Sequence, residues 1–316
     1  MSSLLPLVAM AQTEGHVSRI GMLHANSAAV IAEQLRLFQA QLRELGWTEG
    51  KNFVLDGRFA DGRLERLPAL GRELVAARPD VIFVSTTPGT LAAKAATQAV
   101  PIVFVGVADP VSVGIVSNLS RPEANITGIT NIIAELTGKR MALLKQLVPS
   151  AASIGVLVNP EDPNAAIQLK RADDAAKTLG VALRPVLNVR GAADLENAFA
   201  TAVRAGTPAL LRMVDPTVTM LRRQTTALAA KHHMPVMYSF REDVESGGLA
   251  AYGANGPEQY RQAATLVHKV LRGAKPSDLP VEQPLKFEFV LNVKAAKALG
   301  LTIPPALLLQ ADQLVD

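Results

Sequence analysis

Seven short segments of this 316-residue chain place small polar or acidic side chains directly after apolar runs. In the first half they are His24-Ala25-Asn26-Ser27, Ser85-Thr86-Thr87-Pro88-Gly89 and Gly106-Val107-Ala108-Asp109-Pro110. In the second half they are Asn159-Pro160-Glu161-Asp162, Asp215-Pro216-Thr217, Tyr238-Ser239 and Tyr252-Gly253. Ligands of open α/β sheets bind beyond the carboxyl ends of the strands, where helix amino termini present free N–H groups. Backbone N–H groups and hydroxyls at Ser27 or at Ser85, Thr86 and Thr87 can hold a carboxylate, with Asn26, Asn159 and Thr217 as further candidate ligand contacts. Asp109 or Asp215 can pair with an ammonium, and Tyr238 or Tyr252 can cover an apolar group. Each Ser, Thr, Asn and Asp in this set is equally suited to capping a helix, so the set says more than any member.

Other chemistries lack their residues. The chain has no cysteine, which removes disulfides, thiolate zinc sites and cysteine nucleophiles together. No G-x-S-x-G, G-x-x-x-x-G-K-[ST] or H-E-x-x-H motif is present, and no strand leads into G-x-G-x-x-G. We therefore expect no metal, no organic cofactor and no catalysis. His232-His233 precede Pro235 at the end of a helical pattern, where cationic side chains favour the helix dipole over a metal role. Arg222-Arg223 and Lys294 with Lys297 read as solvated helix faces. Net charge is +4 and aromatic residues make up 4% of the chain; without a basic block interleaved with aromatics, nucleic acid is not an expected partner. No run reaches the roughly 18 apolar residues of a membrane span, so a soluble chain is expected.

The elements that must position these loops alternate short β-rich runs with helical patterns, which predicts an α/β fold with parallel sheets. Arg19 to Leu23 reads as a strand, Asn26 or Ser27 as the cap of the next helix, and Gly46 as its left-handed end. Val81–Val84 and Ile102–Val105 are continuous apolar strands, as expected where helices cover both faces of a sheet. Ile20 and Ile154, Gly46 and Gly180, and Pro101 and Pro235 sit in matching local sequences, each pair 134 positions apart. A period this long is a duplicated lobe rather than a solenoid. The expected division is 17–128 plus 253–282 for lobe 1 and 129–252 plus 283–316 for lobe 2. Residues 1–16 precede them: Ala9-Met10-Ala11 after an apolar run is the pattern a signal peptidase reads, so this segment reads as a signal-peptide remnant or a frayed terminus.

The run from Gly273 to Pro305, GAKPSDLPVEQPLKFEFVLNVKAAKALGLTIPP, closely resembles the carboxyl-terminal signature of the tryptophan/tyrosine-type substrate-binding proteins of ABC transporters. So do Val100–Thr130, Gly247–Gly253 and Leu42–Phe53. The resemblance extends from about Val17 to the end of the chain. It implies a type 1 periplasmic binding protein: two Rossmann-like lobes with parallel sheets, joined by crossover segments. It also implies ligand contact through Asn26-Ser27, Ser85-Thr86-Thr87, Asp109-Pro110 and Asp215. The function expected from it is capture of a small solute, best an amino acid or related carboxylate, by an exported, periplasmic and monomeric protein that serves an ABC permease. The competing reading is a cytoplasmic α/β sensor or an enzyme without a recognisable motif. A repressor-type sensor would need a DNA-reading module, and residues 1–16 are too short for a helix-turn-helix.

Overall fold

The computed structural model describes residues 16–122 and 124–316, so the expected signal remnant lies outside the described residues except for His16. The first half builds β1 (Ser18–His24), α1 (Ala32–Glu44), β2 (Phe53–Phe59), α2 (Leu67–Ala76) and β3 (Val81–Ser85). It continues with α3 (Thr87–Ala96), β4 (Ile102–Val107) and β5 (Ile126–Thr130). These strands form one parallel sheet in the order β2-β1-β3-β4-β5.

The second half opens with α4 (Thr137–Leu147), β6 (Ser153–Val158), α5 (Ala165–Leu179), β7 (Ala182–Asn188) and α6 (Ala192–Arg204). It adds β8 (Leu210–Arg212), α7 (Pro216–Met220), α8 (Arg222–Lys231), β9 (Val236–Tyr238), α9 (Arg241–Glu245) and β10 (Ala250–Ala254). Its strands run β7-β6-β8-β9-β10, the same order again. The three sequence anchors occupy equivalent places: β1 and β6, the left-handed glycines after α1 and α5, and the approaches to β4 and β9. Beyond β10 come α10 (Gly256–Leu271), β11 (Phe287–Asn292), α11 (Val293–Ala298), α12 (Pro305–Gln310) and β12 (Gln313–Val315). β11 joins the second sheet antiparallel to β10, and β12 pairs parallel with β11.

The chain changes lobes three times. After β5 it enters α4, whose Met141, Leu143, Leu144 and Leu147 pack in the second lobe's core. After β10 it enters α10, whose Tyr260, Ala263, Ala264 and Val267 pack against Phe38, Phe83 and Val105 of the first lobe. The proline-rich stretch then runs beside β5, where the Thr127 hydroxyl donates to Leu279 O at 2.8 Å, before β11 returns to the second sheet. The divisions expected at 128/129 and 252/253 fall inside β5 and β10, which belong whole to the first and second sheets. Val81–Val84 and Ile102–Val105 are buried throughout, because helices cover both faces.

Two glycines allow the last strands to lie close. A Cβ on Gly128 would stand 2.2 Å from Phe104 O, and one on Gly253 would stand 2.1 Å from Ser239 O. The start of α1 departs from expectation. Its N-cap is Ile31, without a side-chain bond, because Ser27–Val30 form a turn closed by Val30 N–H to Ser27 O. Asn26 and Ser27 are therefore not caps.

Candidate ligand-binding site

Loops from both lobes meet around a cavity of about 140 Å³, close to the size that admits a single benzene ring in an apolar core. On the first lobe His24 ends β1 and Asn26 follows it, Ser85 to Pro88 span the junction of β3 and α3, and Gly106 and Ala108 lie at the end of β4. On the second lobe Asp162 and Asn164 follow β6, Val214 to Pro216 follow β8, and Phe240 and Glu242 follow β9. Gln259 and Tyr260 enter from α10, and Asn131 and Ile133 from the crossover after β5.

The first-lobe floor is a helix amino terminus held under strain. Thr86 has φ +68°, a region a β-branched residue rarely adopts and one that collects at functional sites. Its hydroxyl accepts from Gly89 N–H at 3.4 Å and its carbonyl accepts from Thr90, so the turn is tied from both sides. Pro88 has no N–H and those of Gly89 and Thr90 are spent on Thr86, so the Thr87 N–H is what the start of α3 offers the cavity, where it favours an anion.

The second-lobe wall is acidic. Asp162 Oδ1 accepts from the backbone and side-chain nitrogens of Asn164 at 2.7 and 2.9 Å. Asp215 Oδ1 accepts from Val218 N–H at 3.0 Å, capping α7, and from Asn159 Nδ2 at 3.4 Å. The Oδ2 atoms of both are buried without a hydrogen-bond partner, as are Asn26 Oδ1 and Ser85 Oγ in the same cavity. Burial, reinforced by the charge of Asp215, pushes Asp162 up to about 7. Burial also raises Asp215, against the pull of Val218 N–H, Asn159 and Arg212. Two carboxylates arranged so, each anchored by one oxygen and unpartnered at the other, suit a cationic group in the cavity.

Two hydrogen bonds bridge the lobes at the rim. The Thr87 hydroxyl donates to Asn164 Oδ1 at 3.3 Å, and Gln34 Nε2 donates to Glu242 Oε1 at 2.8 Å. Burial raises the Glu242 carboxyl, partly offset by Arg222.

Of the residues singled out from sequence, Asn26, Ser85, Thr86, Thr87 and Asp215 line the cavity. Asn159 and Thr217 stand behind it: Asn159 Nδ2 donates to both Asp215 and the Thr217 hydroxyl. Ser27 is outside the lining, and its carbonyl closes the turn to Val30. Asp109 is also outside, accepting from Ser112 N–H at 3.0 Å and Ser112 Oγ at 2.6 Å, which makes it a loop cap. Tyr238 is fully buried under the Arg212 guanidinium, 5.1 Å above its ring, and Tyr252 packs in the second lobe's core; neither reaches the cavity.

Arg222 corrects the expectation of a solvated face. It lines the cavity and donates to Asp243 Oδ1 at 2.9 Å, while the buried Arg212 donates to Asp243 Oδ2 at 2.6 Å. Sequence reasoning passed over His24, Asp162 and Asn164, although their loops carried the strand-end signal. Gln34, Glu242, Gln259 and Tyr260 carried none, since they sit on helices or come from the far end of the chain. Among the described residues, no group of three His, Cys, Asp or Glu is placed to hold a metal. No described helix is long and apolar enough to cross a membrane.

Comparison with known proteins bears on this geometry. The chain is 26% identical over 264 residues to a tyrosine-binding protein of Clostridioides difficile (strain R20291), covering 84% of this chain and 75% of that one. A conserved domain protein from Vibrio cholerae superposes with a TM-score of 0.89 at 27% identity, over 94% of this chain and 99% of that one. An ABC domain from Streptococcus pneumonia, solved in complex with L-Trp, shares the fold with a TM-score of 0.87 at 24% identity, over 94% and 99% of the two chains. The family model for ABC transporter substrate binding proteins matches residues 26–315. With the duplicated lobes and the interlobe cavity, that match makes this chain a member of the ABC transporter substrate binding protein family.

Proposed function

We propose that this protein captures a zwitterionic amino acid between its lobes, an aromatic one best, and presents it to an ABC permease from the extracytoplasmic side as a monomer without catalysis. The observation that carries the reading is the opposition of charge preference across one small cavity. The unpartnered Asp162 and Asp215 oxygens suit an ammonium, and the Thr87 backbone N–H at the start of α3 with the unpartnered Ser85 hydroxyl suits a carboxylate. A volume near 140 Å³ favours one ring over a sugar chain or a peptide. The tyrosine-binding relative and the L-Trp complex support the same class of solute.

Closure follows from the chemistry. A zwitterion satisfies both walls only when they face each other, so its binding energy shifts the lobes toward the closed arrangement. The Thr87–Asn164 and Gln34–Glu242 bonds then latch the rim. Export accords with the Ala9-Met10-Ala11 segment, and we place the division between lobes at the ends of β5 and β10. The test is mass spectrometry of small molecules released by denaturing the purified protein. A stoichiometric amino acid is expected, whereas a phosphorylated or purely anionic solute would overturn the reading.

A further inference from the structure

We infer that Tyr260 is a specificity-determining hydrogen-bond donor, its phenolic proton directed at an acceptor oxygen of the solute because His24 is locked as the Nε2–H tautomer. The inference rests on the amino acid reading above for the identity of that acceptor, the solute carboxylate. The lock itself rests on bonds within this chain.

His24 is buried at the end of β1. Its Nδ1 accepts from the backbone N–H of Asn26 at 3.1 Å, and a backbone N–H can only donate, so Nδ1 carries no proton. The ring is therefore neutral, with its proton on Nε2, which lies 2.9 Å from Tyr260 Oη. That nitrogen donates and the phenol oxygen accepts. The phenol's own proton must then go elsewhere, and Tyr260 lines the cavity. The Ser85 hydroxyl neighbours the phenol and has no partner in bonding geometry. Whether the phenol donates directly or through Ser85, a hydroxyl proton is delivered to the cavity, beside the amino terminus of α3. Burial supports the same state, holding His24 down to about 3 so that it stays neutral.

His24 is thus a positioning residue, fixing which way the hydroxyl donates. The Nδ1–H tautomer would accept from the phenol and leave the cavity facing lone pairs, which repel a carboxylate. Phe83 packs edge-on to the Tyr260 ring at 5.7 Å and holds it in place.

The experiment pairs solutes with and without a carboxylate. Calorimetric titrations of wild-type protein and Tyr260→Phe use L-tryptophan against tryptamine and L-tyrosine against tyramine, with thermal melts confirming that the variant is folded. Tyr260→Phe is expected to weaken the amino acids by about ten- to hundred-fold, the worth of a hydrogen bond to a charged group. It should change the amines by less than about two-fold. An equal loss on both would overturn the assignment. Nitrogen-15 spectra of the wild-type imidazoles, with His24→Gln used to identify the His24 signals, decide the tautomer without any solute. A His24 proton on Nδ1, or a ring that becomes charged near neutral pH, would overturn the inference. Wild-type protein that binds neither amino acid would count against the functional reading instead, and the spectra would still decide the lock.

Discussion

Asp162→Asn separates the two demands made on the acidic wall, stability of the free protein and affinity for a cation. The Asp162 carboxyl is pushed from an ordinary 3.8 up to about 7 by burial first and by Asp215 second. Between about pH 4 and about pH 7 the folded chain holds a proton that the unfolded chain has released, so stability falls as pH rises through that window. About three pKa units at 1.36 kcal/mol each give a cost of about 4 kcal/mol to the solute-free protein by about pH 8. Asparagine keeps the Oδ1 that accepts from Asn164 and removes the buried charge. The variant should therefore recover about half of that cost at about pH 8, a rise of a few degrees in Tm, and lose most of the advantage at about pH 5. Affinity should move the other way: losing one buried charged partner weakens a cationic solute by about thirty-fold or more. Thermal melts at both pH values, beside calorimetry with the released solute, measure both effects. A variant that melts lower at about pH 8 and binds as the wild type does would refute the reasoning.

Three further predictions follow from the same contacts. Asp215 caps α7 with one oxygen and faces the cavity with the other, so Asp215→Asn should lose affinity with an unchanged or higher Tm, since burial raises this carboxyl too, whereas Asp215→Ala should lose affinity and the cap, worth about 1 kcal/mol of stability; melts and titrations of the pair show whether the roles divide this way. Gln34→Ala removes the bond to Glu242 across the rim, and stopped-flow dissociation should be about two- to ten-fold faster with association little changed; an unaltered off-rate would remove the latch from the account. Gly128→Ala should destabilise by about 2 kcal/mol or more, since its Cβ would meet Phe104 O at 2.2 Å, and denaturant unfolding measures it.

The fold was legible because its signals are local and repeated. Ile20 with Ile154 and Pro101 with Pro235 mark equivalent strands, and Gly46 with Gly180 mark equivalent helix ends, so the duplication could be seen before the sheets were known. The site was legible only where it follows a strand end. Ser85, Thr86, Thr87 and Asp215 could be found that way, but Asp109 follows β4 equally well and caps its own loop instead. Tyr238 does end β9, yet its ring turns into the protein interior, and Tyr252 lies in the middle of β10 rather than at its end; no strand-end pattern reveals which way a side chain turns or where a strand stops. Tyr260 was out of reach for another reason. It stands 236 positions from His24 and meets it only because α10 crosses back to cover the first lobe, a long-range event that no sequence window contains. Arg222 read as a surface charge because its partner Asp243 comes from a different helix, packed against it only in the folded lobe.

A crystal structure of the protein carrying its native solute tests the central claim most directly. The solute's amino group should lie within hydrogen-bond distance of the Asp162 and Asp215 Oδ2 atoms, and its carboxylate should lie at Ser85 and Thr87 by the amino terminus of α3, within reach of Tyr260. A solute bound outside this cavity, or with its anionic group turned toward Asp162 and Asp215, would contradict the account.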